Sequence, residues 1–268
     1  MPLVPKLPIG VFDSGVGGLT VARALIRQLP FENIIYFGDT ARVPYGIKSA
    51  QTITQYAAQI TQFLLEKQVK LLIVACNTMA AVASEAIKSL SPVPVLDVIA
   101  AGADSAASAT HSGRIGVIGT LTTVNSNAYV HAIGTLNPRI QVYSRACPLF
   151  VPLVEEGWLD HAVTRLTAIE YLRPLLAENI DTLVLGCTHY PLLQPLLQEV
   201  AGPSVHLVDS ANNVAHRAGL LLHEQGLMNP DRNKPKYEFY VTDVPLRFQA
   251  IGERFLGTPL SNISVVAW

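Results

Sequence analysis

The sequence predicts an α/β protein: two similar doubly wound parallel-sheet domains related by pseudo-two-fold symmetry, with the active site between them. Three observations carry this. Short, fully apolar runs alternate with longer amphipathic stretches, the pattern of parallel strands covered by helices on both faces. Four of the runs recur in the same order, 106 to 112 positions downstream. A cysteine, Cys76 or Cys187, closes the third run of each set.

Taken in order, strands are expected over residues 9–12, 34–37, 71–75, 93–96, 115–118, 140–143, 182–186, 205–208 and 237–241. Residues 50–67, 160–177 and 212–225 carry amphipathic helical periodicity, and 79–90 an apolar helical pattern. Ile9-Gly10-Val11-Phe12 resembles Ile115-Gly116-Val117-Ile118, and Ile34-Ile35-Tyr36 resembles Ile140-Gln141-Val142-Tyr143, both at an offset of 106. Leu72-Ile73-Val74-Ala75-Cys76 resembles Leu183-Val184-Leu185-Gly186-Cys187 at 111, and Val95-Leu96-Asp97 resembles Leu207-Val208-Asp209 at 112. Any α/β chain repeats apolar runs, but the shared Ile-Gly-Val and the matched cysteines favour duplication. The domains are then residues 1–98 and 99–209. Residues 210–268 join the first, because the second half already has its four strands. Ligands of open parallel sheets bind beyond the carboxyl ends of strands. Both cysteines lie at such ends, so two facing halves touch one substrate from two sides.

Composition excludes several classes. Half of the 268 residues are hydrophobic and 15% are charged, which is a globular rather than a disordered balance. The net charge is −1 and no basic stripe stands out, so no nucleic-acid partner is expected. No apolar run reaches about 18 residues, so no membrane span is expected. Pro2, Pro5 and Pro8 argue against a signal peptide. Three widely spaced cysteines give no disulfide framework and point to a reducing, cytoplasmic compartment. No CxxC or HxxxH pair is present, so no metal is expected. Lys48, Lys67, Lys70 and Lys88 lie in polar or helix-surface patterns, which leaves no Schiff-base lysine and no expected cofactor.

The candidate chemistry sits at the strand ends. Cys76-Asn77-Thr78 stands between a strand and a helix, where the helix N-terminus favours thiolate and offers donors to a carboxylate. A buried structural cysteine with an Asn/Thr cap is the alternative. Cys187-Thr188-His189-Tyr190-Pro191 has the same setting, and His189 can tune the thiol. Asp13-Ser14 opens a loop with Gly15, Gly17 and Gly18, whose N–H groups can face an anion. That loop lacks the GxGxxG order and the P-loop lysine, and an Asp cap with turn glycines is its alternative. Tyr45 and Gly46 can hold a carboxylate through a hydroxyl and an N–H, or form an ordinary turn. Thr120, Thr122 and Thr123 offer hydroxyls or caps. Glu155 and Glu156 follow the apolar Pro148-Leu149-Phe150-Val151-Pro152-Leu153-Val154 run, where a cleft carboxylate and a solvated pair are both open.

Taken together, five motifs resemble bacterial glutamate racemase, of the aspartate/glutamate racemase superfamily. They are Asp13-Ser14-Gly15-Val16-Gly17-Gly18, the Arg42-Val43-Pro44-Tyr45-Gly46 loop, Ala75-Cys76-Asn77-Thr78, the run from Pro148 to Gly157, and Gly186-Cys187-Thr188-His189-Tyr190-Pro191. They fall in order between about residues 9 and 220, and the tail from about 226 carries no such motif. The resemblance implies two α/β domains around a buried cleft, chemistry without metal or pyridoxal, and D-glutamate supply for peptidoglycan. It makes Cys76 and Cys187 an acid/base pair. Asp13, Ser14, Tyr45, Gly46, Asn77, Thr78, Thr188 and His189 become substrate contacts. Asp13 becomes auxiliary to Cys76, and His189 with Glu155 to Cys187. A homodimer acting on glutamate is expected.

The chemistry explains the pairing. An α-proton is a very weak acid, and a single base would have to swing to the opposite face to invert the centre. Two fixed groups avoid this, one removing a proton while the other delivers one. Thiols of near-neutral pKa can play either part. Donors on the α-carboxylate, with Asn77, Thr78 and Thr188 available, stabilise the carbanion. Aspartate is the competing substrate. A Cys–His hydrolase with Cys187 as nucleophile leaves Cys76 unexplained. A non-enzymatic binding protein also suits two lobes around a cleft.

Overall fold

The computed structural model describes residues 4–267. Residues 1–3 of the N-terminal segment, Pro2 among them, and Trp268 lie outside the described residues. The first half runs β1 (Ile9–Asp13), α1 (Leu19–Gln28), β2 (Ile34–Gly38), α2 (Ala50–Glu66), β3 (Leu71–Val74), α3 (Asn77–Leu90), β4 (Val95–Asp97) and α4 (Val98–Ala109). The second runs β5 (Arg114–Gly119), α5 (Leu121–Asn125), α6 (Ala128–Leu136), β6 (Gln141–Ala146), α7 (Phe150–Glu155), α8 (Ala162–Leu176), β7 (Thr182–Gly186), α9 (Gln194–Ala201), β8 (His206–Val208) and α10 (Ser210–Glu224). The chain closes with β9 (Tyr237–Val241), α11 (Pro245–Leu256) and β10 (Ile263–Val265). Among the described residues no helix is long and apolar enough to cross a membrane.

Both sheets are parallel throughout. One has the order β10-β9-β2-β1-β3-β4 and the other β6-β5-β7-β8. The four strands β2-β1-β3-β4 therefore repeat as β6-β5-β7-β8. Their central strands are apolar on both faces because helices cover both: every residue of β1, β2, β3 and β7 is buried.

The ladders give the correspondence residue by residue. Ile9 pairs with Leu71, and Ile115 pairs with Thr182. Cys76 lies five residues beyond Leu71, and Cys187 five beyond Thr182. Each cysteine thus leaves the third strand of its sheet at the same level. One expected match shifts. Ile9 pairs with Ile34, but Ile115 pairs with Val142, so the counterpart of Ile34 is Val142 rather than Ile140. Ile140 still belongs to a turn, its N–H on the Asn137 carbonyl. A slip of two residues keeps every side chain on its face, so apolar pattern alone cannot see it.

Local chemistry sets where helices begin. Asp97 accepts from the Ala100 N–H at the start of α4, and its repeat Asp209 accepts from the Ala211 N–H at the start of α10. The helix expected from Met79 begins at Asn77, with Cys76 as its cap. β10 was not expected: it is three residues long, largely exposed, and lies on the sheet edge, too short to show a period.

Candidate active site

The carboxyl ends of β1, β3, β5 and β7 converge on one cleft of about 410 Å³. Cys76 and Cys187 both line it, together with Ser14, Tyr45, Gly46, Asn77, Thr78, Thr120, Glu155, Thr188 and His189. Val43, Ile47, Leu121, Pro148, Val151 and Pro152 complete the wall. Of the residues singled out from sequence, Asp13 is fully buried behind the wall and Glu156 is exposed outside it.

Cys76 Sγ accepts the Met79 N–H at 3.4 Å, and its thiol donates to Ser14 Oγ at 3.6 Å. The expectation of a dipole-stabilised thiolate does not hold here. Burial, reinforced by the Asp13 charge, pushes the thiol up to about 12, and the Met79 N–H only partly offsets this. Cys76 is therefore protonated at neutral pH. Asp13 accepts the Gly15 N–H at Oδ2, 2.9 Å away, while Oδ1 has no hydrogen-bond partner among the described residues. Burial raises its carboxyl pKa, against the opposing pull of His189 and the Gly15 and Gly18 N–H groups. The anion those loop N–H groups face is thus Asp13 of this chain.

Cys187 has different neighbours. His189 Nδ1 lies 3.9 Å from its sulfur, and His189 Nε2 lies 3.1 Å from Glu155 Oε1. Burial alone would lower the His189 pKa. Hydrogen bonds and charge from Cys187 and Glu155 outweigh it and push His189 up to about 10. The hydrogen bond from His189 in turn holds Glu155 below the usual carboxylate range, aided by Arg247. Sulfur, imidazole and carboxylate form a line with a cation in the middle.

The two halves interlock around the cleft. A Cβ on Gly17 would fall 2.2 Å from Thr188 Oγ1 and 2.5 Å from His189 Nδ1. Only glycine fits there, and close approach between the halves is the reason. Thr78 Oγ1 lies 2.9 Å from Thr120 Oγ1, and Thr120 lies 2.9 Å from Thr123 Oγ1, which makes a hydroxyl cluster across the seam. Thr122 donates to the Gly46 carbonyl at 3.0 Å and holds the Tyr45 loop.

Tyr45 corrects a second expectation. Its hydroxyl donates to Asp39 Oδ2 and is not a free donor to a ligand. Arg42 Nε donates to the same oxygen at 2.6 Å, and Thr242 Oγ1 to Oδ1 at 3.0 Å. Burial and the Asp39 charge raise the phenol, so Tyr45 stays a donor to Asp39. What it presents to the cleft is its ring and the loop it anchors.

Sequence reasoning missed three groups. Tyr129 on α6 donates to Asn77 Oδ1 at 2.7 Å and lies 3.3 Å from Ser210 Oγ. Nothing local links Tyr129 to Asn77. The Asp39–Arg42 pair carried a signal, opposite charges three residues apart beside the Tyr45 loop. The third group is α11, where Arg247 reaches Glu155 and Phe255 reaches His189. Among the described residues no three His, Cys, Asp or Glu side chains gather as a metal-ligand set.

Residues 9–218 match the Asp/Glu/hydantoin racemase family. A glutamate racemase of Syntrophus aciditrophicus is 69% identical over 98% of this chain and 97% of its own length. A glutamate racemase of Neisseria meningitidis is 59% identical over 97% of this chain and 96% of its own. A glutamate racemase of Francisella tularensis, solved in complex with D-glutamate, superposes with a TM-score of 0.93 at 44% identity, covering 98% of both chains.

Proposed function

Because this chain belongs to the Asp/Glu/hydantoin racemase family, we propose that it is a glutamate racemase that inverts the α-carbon between two thiols, without a cofactor. The observation that carries this is the pair of cysteines at equivalent strand ends on one cleft, in opposite electrostatic settings. The relatives named glutamate racemase, similar over nearly the whole chain, supply the substrate.

Cys187, beside the His189 cation, takes the α-proton of L-glutamate. Cys76, protonated, delivers a proton to the opposite face and gives D-glutamate. The reverse direction exchanges the two parts. Negative charge developing on the α-carboxylate is met by Asn77, Thr78 and Thr188 at the two helix starts. The Asp13 carboxylate behind Cys76 holds its thiol protonated, ready to give its proton, and Ser14 orients the thiol. The Tyr45–Gly46 loop, held by Asp39 and Thr122, faces the far end of the substrate. The product supplies D-glutamate for peptidoglycan from the cytoplasm, and the active chain is a homodimer, which sedimentation at micromolar concentration tests.

The decisive experiment is incubation of each enantiomer of glutamate and of aspartate in deuterated water. Glutamate should racemise, with solvent deuterium at the α-carbon of the newly formed enantiomer. Inversion that retained the original α-hydrogen would sink the two-thiol reading, and faster turnover of aspartate would reassign the substrate.

A further inference from the structure

We propose that α11 belongs to the proton-transfer apparatus on the Cys187 side, with Arg254 and Phe255 as positioning residues that hold Glu155 and His189 in line with the sulfur. The inference rests on the two-thiol reading above and extends it to a segment without a recognisable motif.

α7 is short, and its last carbonyls need partners outside the helix. The Gly157 N–H meets the Val154 carbonyl at 3.0 Å, and Arg254 Nη1 donates to that carbonyl at 3.1 Å and to the Glu155 carbonyl at 3.3 Å. The chain then turns at Gly157 with φ +79°, a conformation that favours glycine. A Cβ there would lie 3.0 Å from Arg254 Nη1, so the guanidinium occupies the space a side chain would need. The next residue, Phe255, is fully buried and sets its ring edge-on to His189, 5.1 Å between centroids. About two turns earlier, Arg247 Nη2 lies 3.8 Å from Glu155 Oε2. Backbone, carboxylate and imidazole of the relay are therefore all touched from one helix.

The helix is rooted on the other half. Phe248 packs on Tyr36 of β2, 6.0 Å between ring centroids, and Tyr36 donates to the Gly15 carbonyl at 2.7 Å. α11 thus spans from the Cys76 side of the cleft to the group that serves Cys187. A small displacement of Glu155 moves His189 relative to sulfur, and proton transfer is steeply sensitive to such misplacement.

The test compares wild type with Arg254→Ala, Arg254→Lys and Phe255→Leu, using α-protiated and α-deuterated L- and D-glutamate. Arg254 is exposed, so its loss opens no core cavity. Arg254→Ala should lower kcat about tenfold with KM changed much less. The isotope effect should rise with deuterated L-glutamate, whose proton Cys187 removes, and fall toward unity with D-glutamate. Arg254→Lys and Phe255→Leu should shift in the same direction by smaller amounts. A general loss of fold would lower activity and leave both isotope effects as in wild type, and that result overturns the proposal. So does unchanged kcat in folded Arg254→Ala or, should that variant not fold, unshifted isotope effects in Arg254→Lys. Retention of the α-hydrogen by wild type in deuterated water overturns this proposal together with the two-thiol reading. Normal wild-type exchange with unshifted variants overturns this proposal alone.

Discussion

Cys76 and Cys187 occupy the same place in two copies of one topology, yet their surroundings are opposite. By the strand ladders, the position of Asp13 on β1 corresponds to Gly119 on β5. Counting from the cysteines, Asn77 corresponds to Thr188 and Thr78 to His189. Each half therefore carries one titratable neighbour where the other has a neutral residue. The carboxylate stands behind Cys76, whose thiol is held up at about 12, and the cation stands beside Cys187. Duplication places the two sulfurs on opposite sides of a cleft. Divergence at two positions gives the sulfurs opposite neighbours, and the proposed two-base inversion would use that difference.

Replacing the sulfurs tests this comparison most severely. Cys76→Ser and Cys187→Ser should each slow both directions by about 10³-fold, since a hydroxyl is a far poorer acid and base at neutral pH. The isotope effect should enlarge with α-deuterated D-glutamate in Cys76→Ser and with α-deuterated L-glutamate in Cys187→Ser. Enlargement on the same enantiomer in both variants would rule out one thiol per face, and the opposite pairing would exchange their parts.

The neighbours come next. His189→Asn and Asp13→Asn should each cost on the order of 10²-fold, with isotope effects biased as for the thiol each serves. The asymmetry is also visible without turnover. His189 is raised from an ordinary value of 6.5 to about 10, so the cation is present below that pH and lost above it. In protein labelled with 15N-histidine, both its ring nitrogens should be protonated at pH 8 and titrate as pH rises through about 10. Glu155→Gln should lower that midpoint by removing one of the two stabilising partners. A neutral His189 at pH 8 would erase the distinction between the two sides.

How much of this was legible in the sequence depends on distance along the chain. Cys76 and Cys187 were readable as a pair because an apolar strand, a cysteine and a helix start are contiguous and occur twice. Ser14, Asn77, Thr78, Thr188 and His189 were readable for the same reason: each is within two residues of a strand end or a cysteine. Glu155 was readable as a possible cleft carboxylate from the apolar run before it, but only the family resemblance joined it to Cys187 and to His189, 34 residues away. The hydroxyl of Tyr45 was misjudged because its partner, Asp39, approaches through a turn that spacing does not describe. Tyr129 and α11 were silent altogether. No motif surrounds them, and only the docking of one half on the other brings them to the site.

Tyr129 gives the smallest effect and the sharpest contrast with the sulfur variants. Asn77 and Thr188 are counterparts at the two helix starts, and each is latched from the opposite half. Thr20 donates to the Thr188 carbonyl at 3.3 Å, while the Tyr129 hydroxyl donates to Asn77 Oδ1 at 2.7 Å. A backbone carbonyl has one orientation, but a side-chain amide has two, related by a flip. The phenol is pushed well above its ordinary value by burial, so it remains a donor throughout the working range. It therefore fixes Oδ1 as the acceptor and leaves the Asn77 NH₂ to face the cleft. Tyr129→Phe removes that one neutral hydrogen bond, worth about 1 kcal/mol, or about fivefold in an equilibrium. On the proposed reading, in which Asn77 meets the carboxylate whichever face loses its proton, KM should rise by about that factor for both enantiomers. The isotope effects should stay at wild-type values, since neither sulfur is disturbed. A shift in the isotope effect for one enantiomer only would show that Tyr129 acts on one thiol's side of the reaction. That would make Asn77 part of the asymmetry rather than of the scaffold the two halves share.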